Sequence, residues 1–254
     1  MKPSLIDIAQ RYDTDKGISH NYLQNYERHL SHLRDQPILL LEIGVLKGGS
    51  LLMWADYFKT GTIIGIDINS CPLQHLPPNV SFHQGSQSDA SFLQQIARSR
   101  APGGFDVIID DASHYGTLTR DSYKALFTQH LKPGGLYVIE DWGTGYWGSW
   151  PDGAAYRHAE PAARVSKKSI LRRAFRKLLE SVEEFCQSNT ASPPVDPNFA
   201  THNFGMVGFV KELVDEAAWG DISNVERSAS RHPPRNSAIA SLTLSQGQVF
   251  VVKA

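Results

Sequence analysis

Four carboxylates stand at the ends of two apolar runs: Asp110 and Asp111 in IIDDASH (108–114), and Glu140 and Asp141 in IED (139–141). Runs such as DVIID and LYVIE have the composition of strands buried on both faces of a parallel sheet. The carboxyl edge of such a sheet is where open α/β folds bind ligands. Carboxylates brought together there repel one another unless some are protonated or a cation lies among them. An oxygen-only set without cysteine suits Mg²⁺, which takes a few carboxylates and keeps positions open for water or substrate. His114 follows Asp111 by three residues, so at a helix start both side chains point the same way. A histidine so placed could take a proton from a group held on the metal. The plainer alternative has Asp110 and Asp111 capping a turn, Ser113 capping the next helix and His114 on the surface. The presence of IED at the neighbouring strand end weighs against that alternative.

Further upstream, LEIGVLKGGS (41–50) joins a buried strand and its acidic Glu42 to Gly44, Gly48 and Gly49, ahead of a helix that Ser50 can cap. Glycines at such a turn let backbone approach a ligand at the positive end of a helix. A plain glycine-rich turn with Glu42 as an ordinary polar residue is the alternative. The spacing is not G-x-G-x-x-G, because Leu46 holds the place of the second glycine, which counts against a pyrophosphate and so against NAD or FAD. The next apolar run ends in GIDI, with Asp67 where doubly wound folds place a carboxylate on ribose hydroxyls. In QGSQSD, Gln87 and Asp89 are placed to reach an adenine ring, or else Ser88 or Asp89 caps the helix that follows.

The elements that must position these residues follow from periodicity. SLIDIAQRY and HNYLQNYERHLSHL carry apolar residues at spacings of three and four and read as two N-terminal helices. From residue 38, ILLLEIGV, TIIGIDI, VSFHQG, FDVIIDD and GLYVIEDW alternate with SLLMWADYF, DASFLQQIARS and LTRDSYKALFTQHL. This β-α-β-α order implies a doubly wound, mostly parallel sheet of the α/β class. After Trp142 the glycine- and aromatic-rich GTGYWGSWPDGAAYRHAEPAAR shows no period and reads as an active-site loop. Its Trp142, Tyr146, Trp147 and Trp150 are able to stack on an acceptor or to form the loop's own core. Residues 166–187 read as an amphipathic helix, with Leu171, Phe175 and Leu178 on one side and six basic residues between Lys167 and Lys177 on the other. FGMVGFVK and QVFVVKA read as two final strands, separated by a polar stretch from Asp215 to Ser241 without a clear assignment.

Composition sets outer bounds. Of 254 residues, 41% are apolar and 20% charged, which excludes disorder, collagen and coiled coil. The formal charge of −1 excludes nucleic-acid binding by bulk charge. Cys71 and Cys186 are too few for a disulfide framework and lack metal-ligand spacing. Asp7, Arg11, Asp13 and Asp15 interrupt any secretory signal, and Glu42 breaks the most apolar window well short of a membrane span. A cytoplasmic protein with no membrane partner is expected. A single domain over 1–254 is expected, with a helical cap (1–36), a cofactor-binding core (37–142) and an acceptor region (143–254).

DTDKG, LEIGVLKGGSLLMW, GIDI, DDASH and GGLYVIEDW occur in this order, and together they resemble the class I S-adenosylmethionine-dependent O-methyltransferases. More closely, the chain resembles the Mg²⁺-dependent sugar O-methyltransferases of macrolides and other glycosylated natural products, over about residues 10 to 150. The resemblance implies a seven-stranded sheet that binds S-adenosylmethionine beside Mg²⁺. It implies Glu42, Gly44 and Asp67 on the amino-acid and ribose parts, with Ser50, Gln87, Asp89 and Asp110 on the same cofactor side. Lys16 and Tyr22 would close over the cofactor. Asp111, Glu140 and Asp141 would hold the metal, and Asp111 and His114 would be catalytic, His114 as general base. The acceptor would be a vicinal diol on a deoxysugar of a small molecule, and a homo-oligomer is compatible with this reading. Three rivals stand beside it: a catechol or phenolic O-methyltransferase, in which lysine replaces His114, a non-catalytic binding protein of the same fold, and a nicotinamide dehydrogenase.

Overall fold

In the computed structural model, residues 2–17, 22–71, 73–156, 202–222 and 235–254 are described. All of them except His202 fall in one compact unit. The N-terminal reading holds: α1 (Leu5–Ala9) is closed by a reciprocal capping box between Ser4 and Asp7, and α2 (Tyr22–Leu30) follows a 3-10 turn at Asp15–Gly17. The alternation then gives β1 (Leu39–Ile43), α3 (Gly49–Tyr57), β2 (Thr62–Asp67), β3 (Val80–Gln84), α4 (Ala90–Arg100), β4 (Phe105–Asp110), α5 (Gly116–His130) and β5 (Leu131–Glu140).

The described strands form one seven-stranded sheet in the order β3-β2-β1-β4-β5-β7-β6, where β6 is Ile239–Leu244 and β7 is Gln248–Lys253. β1 to β5 are parallel, while β7 runs antiparallel to both β5 and β6. Strand order reverses between β1 and β4, whose last residues Ile43 and Asp110 are register partners, so the crevice for a ligand opens there. Alternate residues of each strand go to opposite faces. Leu40, Ile63, Val107 and Val138 pack on one face with α1, α2 and α3, and Leu41, Ile64, Ile108 and Ile139 pack on the other with α4 and α5.

The structure departs from or completes the sequence reading in three places. FGMVGFVK is not a strand but the start of α7 (Gly205–Ala217), because the run continues into KELVDEA and buries Met206, Phe209, Val210 and Leu213 at spacings of three and four. The polar stretch from Asp215 to Ser241 contains the start of β6, an edge strand in which Ile239 alone is buried, so its apolar signal is short. The described part of the stretch after Trp142 is more regular than expected, with a 3-10 turn at Trp142–Tyr146 and then α6 (Pro151–Ala155), and its Trp150 lines the cavity described below. The amphipathic helix expected over 166–187 lies outside the described residues. Among the described residues no helix is long and apolar enough to cross a membrane.

Candidate active site

A cavity of about 730 Å³ opens at the carboxyl edge of β1, β2, β4 and β5. It is lined by Lys16, Gly44, Ser50, Asp67 and Gln87 together with Asp111, His114, Leu118, Asp141 and Trp150. Gly44 has φ +94, and a Cβ there would lie 2.1 Å from the carbonyl oxygen of Asp111, so glycine is required where β1 turns beneath β4. Asp67 accepts from the backbone N–H groups of Val45 (2.8 Å), Leu46 (3.2 Å) and Asn69 (2.8 Å). Burial alone would push its carboxyl up, but these donors hold it below the usual aspartate value. Gln87 donates to Asp110 at 3.0 Å and accepts from Ser113 N–H, which fixes the start of the DDASH turn.

Several residues assigned to the cofactor stand elsewhere. Glu42 is buried outside the cavity lining, where it accepts from Ser50 (2.9 Å) and Trp54 (3.3 Å). Burial raises its carboxyl to about 7 against the pull of Lys16. Asp89 is exposed and caps α4 by accepting from Phe92 N–H, as the alternative reading had it. Asp110 lies beneath the cavity, since alternation along β4 turns its side chain inward to Gln87, Ser122 and Tyr137. Burial raises its carboxyl to about 6 although these donors oppose the shift. Tyr22 does not line the cavity either; its hydroxyl donates to Asp141.

Asp111, His114 and Asp141 bring one ligand atom each to within 4.8 Å of one another. His114 Nε2 is 3.9 Å from Asp111 Oδ1 and 3.6 Å from Asp141 Oδ2. His114 (φ 51) and Asp141 (φ 53) both adopt the left-handed backbone region, which is costly for non-glycine residues and is held here by their surroundings. Thr144 Oγ1 donates to the carbonyl oxygens of both residues, at 3.2 and 2.8 Å. The carboxylates of Asp111 and Asp141 suit a hard divalent cation that keeps open positions, so this pair fits Mg²⁺, with the His114 imidazole beside it and not a ligand.

Glu140 is not in this group. It is the last residue of β5 and shares a face with Val138, so its carboxylate meets α2, where it accepts from Tyr26 and from the Lys16 ammonium at 2.9 Å. Lys16 Nζ also lies 2.5 Å from Asp111 and 3.6 Å from Glu42. The ammonium is buried, which would lower its pKa, but Asp111, Glu140 and Glu42 hold it well above the usual lysine value. Burial, with Asp111 nearby, raises the Glu140 carboxyl to about 8. Burial also raises Asp111, against Lys16 and His114.

No family model matches the chain. It is 44% identical over 155 residues to mycinamicin VI 2''-O-methyltransferase of Micromonospora griseorubida, which is 58% of this chain and 38% of that protein. It is 40% identical over 179 residues, 66% and 45% of the two chains, to L-olivosyl-oleandolide 3-O-methyltransferase of Streptomyces antibioticus. The solved structure of the methyltransferase MycE with Mg, SAH and mycinamycin VI matches 99% of this chain and 54% of that one, with a TM-score of 0.69 and 31% identity. Over these stretches the chain is similar to O-methyltransferases of glycosylated natural products. It spans less than half the length of the two curated relatives.

Sequence reading missed three residues that hold the site's side chains and flanking helices in place. Thr144 and Tyr26 look like ordinary helix and loop residues in sequence, since their partners lie 30 and 114 positions away. Asp152 has a better signal, an acidic residue just after Pro151 at a helix start, but its partners lie in two other helices.

Proposed function

We propose that this chain carries an S-adenosylmethionine- and Mg²⁺-dependent O-methyltransferase that methylates one hydroxyl of a vicinal diol on a deoxysugar of a glycosylated small molecule. The observation that carries the reading is one cavity lined both by the glycine turn and Asp67 and by the Asp111, His114 and Asp141 cluster. Its relatives are named for 2''- and 3-O-methylation of glycosylated natural products, which fits this pairing.

The residues divide the work as follows. Gly44 and the N-terminus of α3 leave room for the methionine part of the cofactor, and Asp67 offers its remaining lone pairs to ribose hydroxyls. Asp111 and Asp141 would hold the metal, which when bound would stabilise developing negative charge on the acceptor oxygens. Lys16 offsets the charge of Asp111 and donates to Glu140, and Tyr22 and Thr144 fix Asp141. His114 Nε2 accepts the proton of the reacting hydroxyl. That oxygen forms a bond to the methyl carbon as the carbon–sulfur bond breaks, its electron pair stays on sulfur, and S-adenosylhomocysteine leaves. Holding oxygen, carbon and sulfur in line supplies a large part of the rate.

A thermal-shift series with S-adenosylhomocysteine, NAD and no ligand, each with and without Mg²⁺, tests the cofactor. At about 100 times its dissociation constant a specific ligand stabilises by roughly 2.7 kcal/mol, or about 5 to 10 °C here. That shift is expected with S-adenosylhomocysteine, and a shift with NAD alone would overturn the reading. An acceptor panel of rhamnosyl and olivosyl glycosides against catechols, with and without EDTA, then tests the acceptor class. Turnover of catechols alone would move the assignment to phenolic substrates.

A further inference from the structure

One buried carboxylate near the site takes no part in the reaction above. Asp152 in α6 is 1% exposed, and its Oδ2 accepts from Gly116 N–H at 2.8 Å and from Met206 N–H at 2.6 Å. Gly116 opens α5 and Met206 lies in the first turn of α7, and neither helix is capped by its own N-cap side chain, Tyr115 or Phe204. A single carboxylate thus satisfies donors at two helix N-termini, where the positive end of each helix favours a negative charge.

The backbone around it leaves no slack. A Cβ on Gly116 would lie 2.1 Å from the carbonyl carbon of Gly205, and one on Gly205 would lie 2.2 Å from the Asp152 carboxyl carbon. A Cβ on Gly153 would lie 2.1 Å from the carbonyl oxygen of Trp147, so α6 is pressed onto the turn before it as well.

Both ends of this junction lead back to the cavity. Two residues before Asp152, Trp150 lines the cavity, and its indole meets the imidazole of His114 edge to face, with ring centroids 5.2 Å apart at 69°. Two residues before Gly116 is His114 itself. The carboxylate therefore joins the segment that carries Trp150 to the helix that begins just after His114.

We propose that Asp152 is a positioning residue for the acceptor side of the site: by seating α6 on the start of α5 it holds the Trp150 indole against His114, so that base and aromatic wall meet the sugar as one unit. The role given to His114 rests on the methyl-transfer reading, whereas the mechanical link does not.

The test reads the link without turnover. In ¹H–¹³C spectra of histidine-labelled protein, the His114 ring signal is assigned by its loss in His114→Asn, and its displacement in Trp150→Leu measures the ring current of the indole. Asp152→Ala is expected to move that signal in the same direction, by at least half as much, while calorimetric affinity for S-adenosylhomocysteine stays within twofold. Asp152→Asn keeps an acceptor for the two N–H groups and should leave the signal near its wild-type position. A folded Asp152→Ala with the signal unmoved would overturn the proposal. If that variant does not fold, Asp152→Glu decides: it keeps the charge but pushes α6 off by one methylene, so an unmoved signal there overturns the proposal equally. On any acceptor that is turned over, Asp152→Ala should lose at least tenfold in kcat/KM for the acceptor, with KM for S-adenosylmethionine within twofold. Absence of turnover on every acceptor would sink the methyl-transfer reading and leave the link to be judged by the spectra.

Discussion

At the scale of single residues, the site separates proton chemistry from charge balance. His114 stands beside two carboxylates and lines the cavity, so His114→Ala should lower kcat by about 10²- to 10⁴-fold and leave S-adenosylhomocysteine affinity within twofold. Stopped assays together with calorimetry check both halves, and normal turnover would remove the base assignment. Glu140 and Asp141 are adjacent in sequence but differ in partners, because Glu140 faces Tyr26 and Lys16 while Asp141 faces His114. Asp141→Asn should weaken Mn²⁺ binding, measured by electron paramagnetic resonance, at least tenfold more than Glu140→Gln does. The reverse order would return Glu140 to the metal. Lys16 is the buried cation among three carboxylates, and removing one member of such a set leaves uncompensated charge. Lys16→Met should therefore lower the unfolding free energy by about 3 to 5 kcal/mol in urea titrations at neutral pH.

At the scale of elements, Asp110 ties β4 to the loop after β3 through Gln87, to α5 through Ser122 and to β5 through Tyr137. Its carboxyl is raised from 3.8 to about 6, so the folded chain holds this proton more tightly than the unfolded one does. A group shifted in this way contributes its stability at low pH, and that contribution fades as pH rises from about 4 through about 6. A shift of about 2 units corresponds to roughly 3 kcal/mol. Asp110→Asn cannot ionise, so wild type should lose about that much relative to the variant between pH 4 and pH 7, as read from denaturant unfolding at each pH. Parallel curves would show that Asp110 ionises in place at no cost. The elements themselves were legible wherever burial imposed a period. β1, β2, β4 and β5 are buried on both faces, so their apolar runs marked them in sequence. α7 was misread because FGMVGFVK is apolar on nearly every residue, and helix and strand differ there only once the following KELVDEA extends the period. The edge strand β6 left only a short mark, Ile239, Leu242 and Leu244 among small and polar residues, because Ile239 alone is buried.

At the scale of the whole molecule, strand order explains why part of the site was legible and part was not. Asp67, Asp111, His114 and Asp141 sit at or just beyond strand ends, where the doubly wound rule places ligands, and they do line the cavity. Glu42, Asp89 and Asp110 obey the same rule of position, yet a single step of alternation or a helix cap turns each carboxylate elsewhere. Side-chain direction at a strand end depends on one residue of register, and motif order does not encode it. The same geometry sets a limit on acceptors. A cavity of about 730 Å³ lies within the range of small-molecule sites. The reacting sugar is expected to sit in this cavity and the aglycone to extend beyond it. Tyr146 and Trp147, 45% and 49% exposed in the turn after Asp141, are left to meet what emerges. Contacts that act alike on ground and transition states alter KM rather than kcat, and aglycone contacts are expected to be of that kind. For one deoxysugar carried on different aglycones, kcat should stay within about threefold while KM varies by tenfold or more, as initial-rate series on matched glycosides would show. A kcat that follows the aglycone instead would mean that the aglycone reaches the reacting centre and that the acceptor site extends beyond this cavity.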